Sequence, residues 1–71
     1  MEAMMSPRRI GRVLKRLREK EGLSQAALEK KSGVGHGYIS QIEAGEKKNP
    51  GIETLKKIAR ALGVPVTELL E

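Results

Sequence analysis

The chain has 71 residues, with no cysteine, one histidine and a single aromatic side chain, Tyr38. A chain this short buries only ~60% of the surface its unfolded form exposes, which limits it to one small core and leaves no mass for an enzyme cleft. Its 14 Lys and Arg against 9 Glu give a formal charge of +5, concentrated in the first 22 residues, where seven bases meet three acids; a polyanion is the first partner this balance suggests.

Without cysteine there are no disulfides or thiolate metal sites, and His36 alone makes no multi-histidine centre, so neither a metal nor a cofactor is expected. No apolar run approaches the ~20 residues needed to span a bilayer, and MEAMMSPRR lacks the apolar centre of a signal peptide. The expectation is a soluble, cytoplasmic, nucleoid-associated protein with no membrane partner.

Residues 1–6 are expected to form a flexible N-terminus and residues 7–71 a single domain. Ser6-Pro7 opens the first helix: serine caps free amides, and proline is tolerated at the first helical position. Ile10, Val13, Leu14 and Leu17 recur at spacings of three and four, which predicts helix 1 over about 7–21, stopped by Gly22. The pattern restarts at Ser24, with Leu23 before the cap placed to pack on Leu28 inside the helix. Helix 2 runs over about 25–32 and ends at Gly33.

The same device repeats with Val34, a Gly35 cap and Ile39, giving helix 3 over about 36–44. Glu46–Gly51 is polar, contains Pro50 and lacks periodicity, so it reads as an exposed loop. Ile52, Leu55, Ile58, Ala59 and Leu62 mark helix 4, closed by Gly63, and Pro65 separates it from a last turn or two over Val66–Leu70. The fold class is therefore all-α, with five helices sharing one core. Two short helices joined by a glycine-containing turn, over about 24–44, form a helix-turn-helix pattern, a geometry that also occurs as plain packing.

The residues within that pattern go further. LSQAALEKKSGVGHGYISQIEAGEKKNP followed by IETLKKIARALGV resembles the Cro/cI-type helix-turn-helix family, also called the xenobiotic-response-element family, which has a lambda-repressor-like fold. The resemblance covers residues 10–70 and is anchored at Leu23-Ser24-Gln25, Gly33, Ile39–Glu43, Gly45, Pro50 and Ala59–Val64. It implies sequence-specific binding of double-stranded DNA by a small transcriptional regulator, with helix 3 in the major groove.

On that resemblance His36, Gly37, Ser40 and Gln41 take the base-reading positions. Gln41 suits bidentate pairing with adenine, Ser40 is ambivalent, and His36 suits a guanine or a phosphate. Gly37 offers no side chain. Ser24 and Gln25 at the start of helix 2, and Lys47, Lys48 and Asn49 in the loop after helix 3, take phosphate-contacting positions, and Gln25 also takes a position that buttresses helix 3. The resemblance also pairs Arg18 with Glu43 in an internal ion pair. It further implies a homodimer on a palindromic site, with Val66, Leu69 and Leu70 either forming the interface or capping the core.

Two residues depart from the family pattern. Glu29 stands where a small residue, commonly alanine, lets helix 3 cross closely, and Ser32 replaces a commonly apolar residue. The alternative function is an antitoxin or adaptor, a protein-interaction module on the same fold, for which an apolar or acidic outer face on helix 3 would be expected. An enzyme is not expected, because one histidine without Asp or Cys assembles no nucleophile, base and orienting group. No separate effector domain is expected after residue 71, and with it no small-molecule sensing.

Overall fold

The computed structural model describes residues 6–70. The flexible N-terminus expected over residues 1–6 lies outside them except for Ser6. The described chain is all-α, without strands: α1 (Pro7–Lys20), α2 (Gln25–Ser32), α3 (His36–Glu43), α4 (Ile52–Leu62) and α5 (Thr67–Leu70). Helix α1 packs on α3 and α5, α2 packs on α3 and α4, and α4 also touches α5, so a single core sits between all five.

Each helix begins and ends where local chemistry dictates. Ser24 Oγ accepts the Ala27 amide at 3.0 Å, closing the N-terminus of α2, and Gly33 (φ 79°) ends that helix in the left-handed region that favours glycine. Gly45 (φ 76°) does the same for α3. Its amide bonds the Ile42 carbonyl at 3.0 Å, and the Glu46 amide bonds Gln41 O at 3.0 Å, a Schellman closure. Helices α1 and α3 each stop one residue short of the sequence expectation, with Glu21 and Ala44 as their C-caps.

Eight side chains are completely enclosed: Ile10, Leu14, Leu28, Ile39, Ile42, Leu55, Ile58 and Leu69. Burial of each contributes about 1.5–3 kcal/mol relative to exposure, so the enclosed centre holds on aliphatic side chains, with Tyr38 packed partly against it. Leu23 and Val34 pack against this cluster from their positions just before the α2 and α3 caps. On α1 the buried face is Ile10, Gly11, Leu14 and Arg18, whereas Val13 and Leu17 are only partly covered.

Two expectations change, and one open alternative is decided. Ile52, assigned to the buried stripe of α4, is the one exposed large apolar side chain among the described residues, because it projects from the first turn past the edge of the core. The loop expected to be wholly exposed is pinned by Pro50, which is buried. Leu69 is fully buried, with Val66 and Leu70 packed partly against the core, so the last turn closes the core and Leu69 is not available to a dimer interface.

Candidate nucleic-acid interface

Helix α3 owes its orientation to what it buries. Ile39 and Ile42 are 0% and 1% exposed, which turns the opposite side of an eight-residue helix outward. His36, Gly37, Ser40 and Gln41 all lie on that exposed side, one helical turn apart, and Lys47, Lys48 and Asn49 are exposed in the loop that leaves the helix. Among the described residues no three His, Asp or Glu side chains gather as a metal centre would require, and no helix is long and apolar enough to cross a membrane.

The base of α3 is locked to α1 by charge. Arg18 Nε lies 2.6 Å from Glu43 Oε2 and Nη2 lies 2.9 Å from Oε1, a bidentate fork, while Nη1 donates to the Leu23 carbonyl at 2.7 Å. Only 10% and 5% of the two side chains are exposed. The hydrogen bond to Glu43 raises the Arg18 pKa against the opposing effect of burial, so the guanidinium stays charged. With Leu23 as its third partner, this one arginine joins α1, the start of the helix-turn-helix and the end of α3.

Gln25 belongs to the same network. Its Nε2 donates to Glu43 Oε1 at 3.1 Å, so the amide assigned to a phosphate by resemblance is also an internal buttress, with its oxygen and second N–H left over. Ser24 is exposed, but its hydroxyl serves the helix cap. Lys47 is held beside α3, with Nζ 5.1 Å from the centre of the Tyr38 ring. Its amide also reaches Gln41 O at 3.3 Å, so the loop cation is tied to the helix through both backbone and side chain.

Both departures from the family pattern have a structural answer. The Glu29 stem leads outward, and its Oε1 lies 2.6 Å from Nδ1 of His36, at the first position of α3. That hydrogen bond holds the Glu29 carboxyl below its ordinary range. Ser32 Oγ accepts the Val34 amide at 3.1 Å, so a polar residue where an apolar one is common satisfies the turn.

Sequence reasoning missed Gly11. It is buried, and a Cβ built there would overlap the Ile42 carbonyl oxygen and approach that of Glu43 at 2.8 Å, so the α1 backbone runs directly against the end of α3. A glycine between Ile10 and Leu14 on the buried side of an otherwise regular helix was the available signal. The Glu29–His36 and Tyr38–Lys47 contacts had none, because each joins residues across a turn whose geometry spacing does not give.

Residues 14–69 match the Helix-turn-helix family HTH_3. The HTH-type transcriptional regulator SlrR of Bacillus subtilis (strain 168) is 40% identical over 62 residues, 87% of this chain and 41% of SlrR; the chain thus spans less than half of that relative. The crystal structure of the master regulator for biofilm formation SinR in complex with DNA superposes with a TM-score of 0.84 at 39% identity, covering 87% of this chain and 98% of that one. The restriction-modification controller protein C.AhdI from Aeromonas hydrophila superposes with a TM-score of 0.84 at 33% identity, over 89% of this chain and 94% of the other. The family match spans most of the chain, the relatives agree in sequence and the solved structures in fold, and the chain belongs to the helix-turn-helix family.

Proposed function

We propose that the chain binds double-stranded DNA sequence-specifically as a transcriptional regulator, with α3 lying in the major groove. The observation that carries this reading is the outer face of α3: His36, Ser40 and Gln41 stand exposed in a row while the inner face is sealed by Ile39 and Ile42. A major groove about 12 Å wide admits one helix, and polar tips at this spacing reach base edges. Lys47, Lys48 and Asn49 flank the row as phosphate contacts, joined by the N-terminus of α2. The superposition on SinR, solved with DNA, supports the same assignment.

Arg18 and Glu43 set the pose of the reading helix and contact no base. The polar and basic outer face favours DNA over an antitoxin or adaptor role. Two copies related by a two-fold axis would place their α3 helices about 34–36 Å apart, one duplex turn, and so select a palindrome.

Selection of binding sites from random duplex DNA, repeated across a salt series, tests the proposal. The expected result is an enriched palindromic motif, with log affinity falling linearly against log salt at a slope of about −0.9 per phosphate neutralised. Recovery of no enriched sequence would overturn it.

A further inference from the structure

We infer that the basic cleft between the C-terminal ends of α2 and α4 docks an acidic peptide segment of a partner protein, one that carries an apolar side chain between its carboxylates. The site goes beyond the DNA-binding reading and does not depend on it.

The cleft has a volume of about 570 Å3, and Lys31, Lys57 and Arg60 line it together with Ala61, Leu62 and Gly63. Among the described residues no acidic side chain lines it. All three cations are exposed, and none has an ion-pair partner among the described residues. Glu53 stands one helical turn before Lys57, at a spacing that pairs charges along a helix, yet forms no salt bridge with it. By contrast, the cleft between α1 and α5, about 210 Å3, sets Glu68 among Arg9 and Arg16, so its charge is partly offset within the chain.

Helix ends do not account for the surplus. Both α2 and α4 finish at this cleft, and each C-terminus brings about −0.5 of a charge, which Lys31 and Arg60 in the two last turns are placed to meet. Full charges on all three cations exceed those partial charges by about two units. Lys57, in the middle of α4, meets no helix end; it shares a face with Arg60 one turn on, and like charges at that spacing repel. A concavity that keeps uncompensated positive charge is complementary to an anion.

The lining decides which anion. Half-buried Ala61 and the edge of Leu62 give the cleft an apolar floor, and a Cβ at Gly63 would meet nothing within 4 Å, so the entrance is open. A phosphate would use the cations and leave that floor in water, whereas a Leu or Ile flanked by Asp or Glu covers the floor and pairs the charges. The site is also turned away from the reading helix. Glu29 touches His36 at the start of α3, and Lys31, two residues on, lies about 200° around α2. A duplex on α3 therefore leaves the cleft free for a second partner.

The test uses the full chain at about 0.15 M salt with a short peptide of Glu, Asp and Leu, the same peptide with Gln and Asn for its acids, and a duplex oligonucleotide. With the acidic peptide, backbone amide NMR shifts are expected to move at residues 31–32, 57 and 60–63 and to leave the outer face of α1 still, although Arg12, Lys15 and Arg16 are exposed there. Lys57→Gln and Arg60→Gln are each expected to weaken peptide binding by up to about fivefold, the worth of one exposed ion pair, and Arg12→Gln is expected to leave it unchanged. Lys57→Gln is expected to keep or raise the melting temperature, because it relieves repulsion; a lysine with a structural role would lower it.

No binding of the acidic peptide, equal binding of its uncharged counterpart, shifts spread along α1, or a lower melting temperature in Lys57→Gln overturns the inference. Duplex DNA that shifts the cleft amides or displaces the peptide makes the cleft a nucleic-acid site and overturns it as well. Motif recovery in site selection is a separate readout, so the docking site and the DNA-binding reading fail independently.

Discussion

Arg18 holds both carboxylate oxygens of Glu43, at 2.6 and 2.9 Å, from a helix that lies 25 residues earlier in the chain. Breaking a buried pair strands the remaining charge, which costs about 3–5 kcal/mol. Glu43→Ala leaves Arg18 with only the Leu23 carbonyl and frees Gln25. A destabilisation of at least 3 kcal/mol lowers the melting temperature of a domain this size by roughly 12 °C or more. Arg18→Lys is expected to fall between parent and Glu43→Ala, because an ammonium cannot form the fork. Thermal unfolding by circular dichroism measures both, and an unchanged midpoint for Glu43→Ala would contradict the pairing.

Two glycine substitutions are expected to act in opposite directions. Gly11→Ala gains helix propensity but drives a methyl into the Ile42 and Glu43 carbonyls, backbone atoms that cannot turn aside. A net loss of about 1–3 kcal/mol follows from overpacking. Gly37→Ala meets nothing within 4 Å and lies in a helix, so it is expected to gain up to about 1 kcal/mol. Urea unfolding midpoints compare the two. Weaker DNA binding by the stabilised Gly37→Ala protein would place the α3 backbone in close approach to the duplex.

Glu29 makes stability depend on acid pH. A carboxyl whose folded pKa is depressed stabilises the fold above its unfolded value, and the contribution is lost as pH falls through the lower folded value. The depression arises first from the His36 side-chain hydrogen bond and then from the His36 backbone. Parent and Glu29→Gln are therefore expected to differ in unfolding midpoint at neutral pH and to converge below the carboxylate range. The pair is solvent-exposed, so the difference is expected to be small. A gap that persists unchanged into acid would rule out the carboxylate as its source.

Readers and positioners separate by specificity. Gln41→Ala is expected to cost about 1–3 kcal/mol at one base position and relax preference there. Lys48→Ala should weaken all sequences alike and reduce the salt slope by about 1. Fluorescence anisotropy with the selected site and single-base variants distinguishes them. Identical profiles for the two variants would remove the distinction.

The sequence by itself determined the elements and the register of the motif. Caps at Ser6 and Ser24, stops at Gly33 and Gly63, and apolar spacings of three and four are local, and five helices follow from them with ends off by a single residue. The inward turn of Ile39 and Ile42, and with it the outward row of His36, Ser40 and Gln41, was legible for the same reason: a helix has a fixed period.

Tertiary structure decided what the ends of those helices meet. Ile52 kept the apolar period yet stands in solvent, because periodicity gives direction around a helix and not where the core stops along it. Gly11 is required by a backbone crossing between α1 and α3, and Gln25 turns toward Glu43 because Arg18 has already placed that carboxylate. Glu29 reaches His36 only because the turn at Gly33 folds α2 back on α3. Contacts between helices depend on crossing geometry that no single helix encodes. The outward face of α3 is therefore written in the sequence, and the contact its first side chain makes with Glu29 is set by the fold.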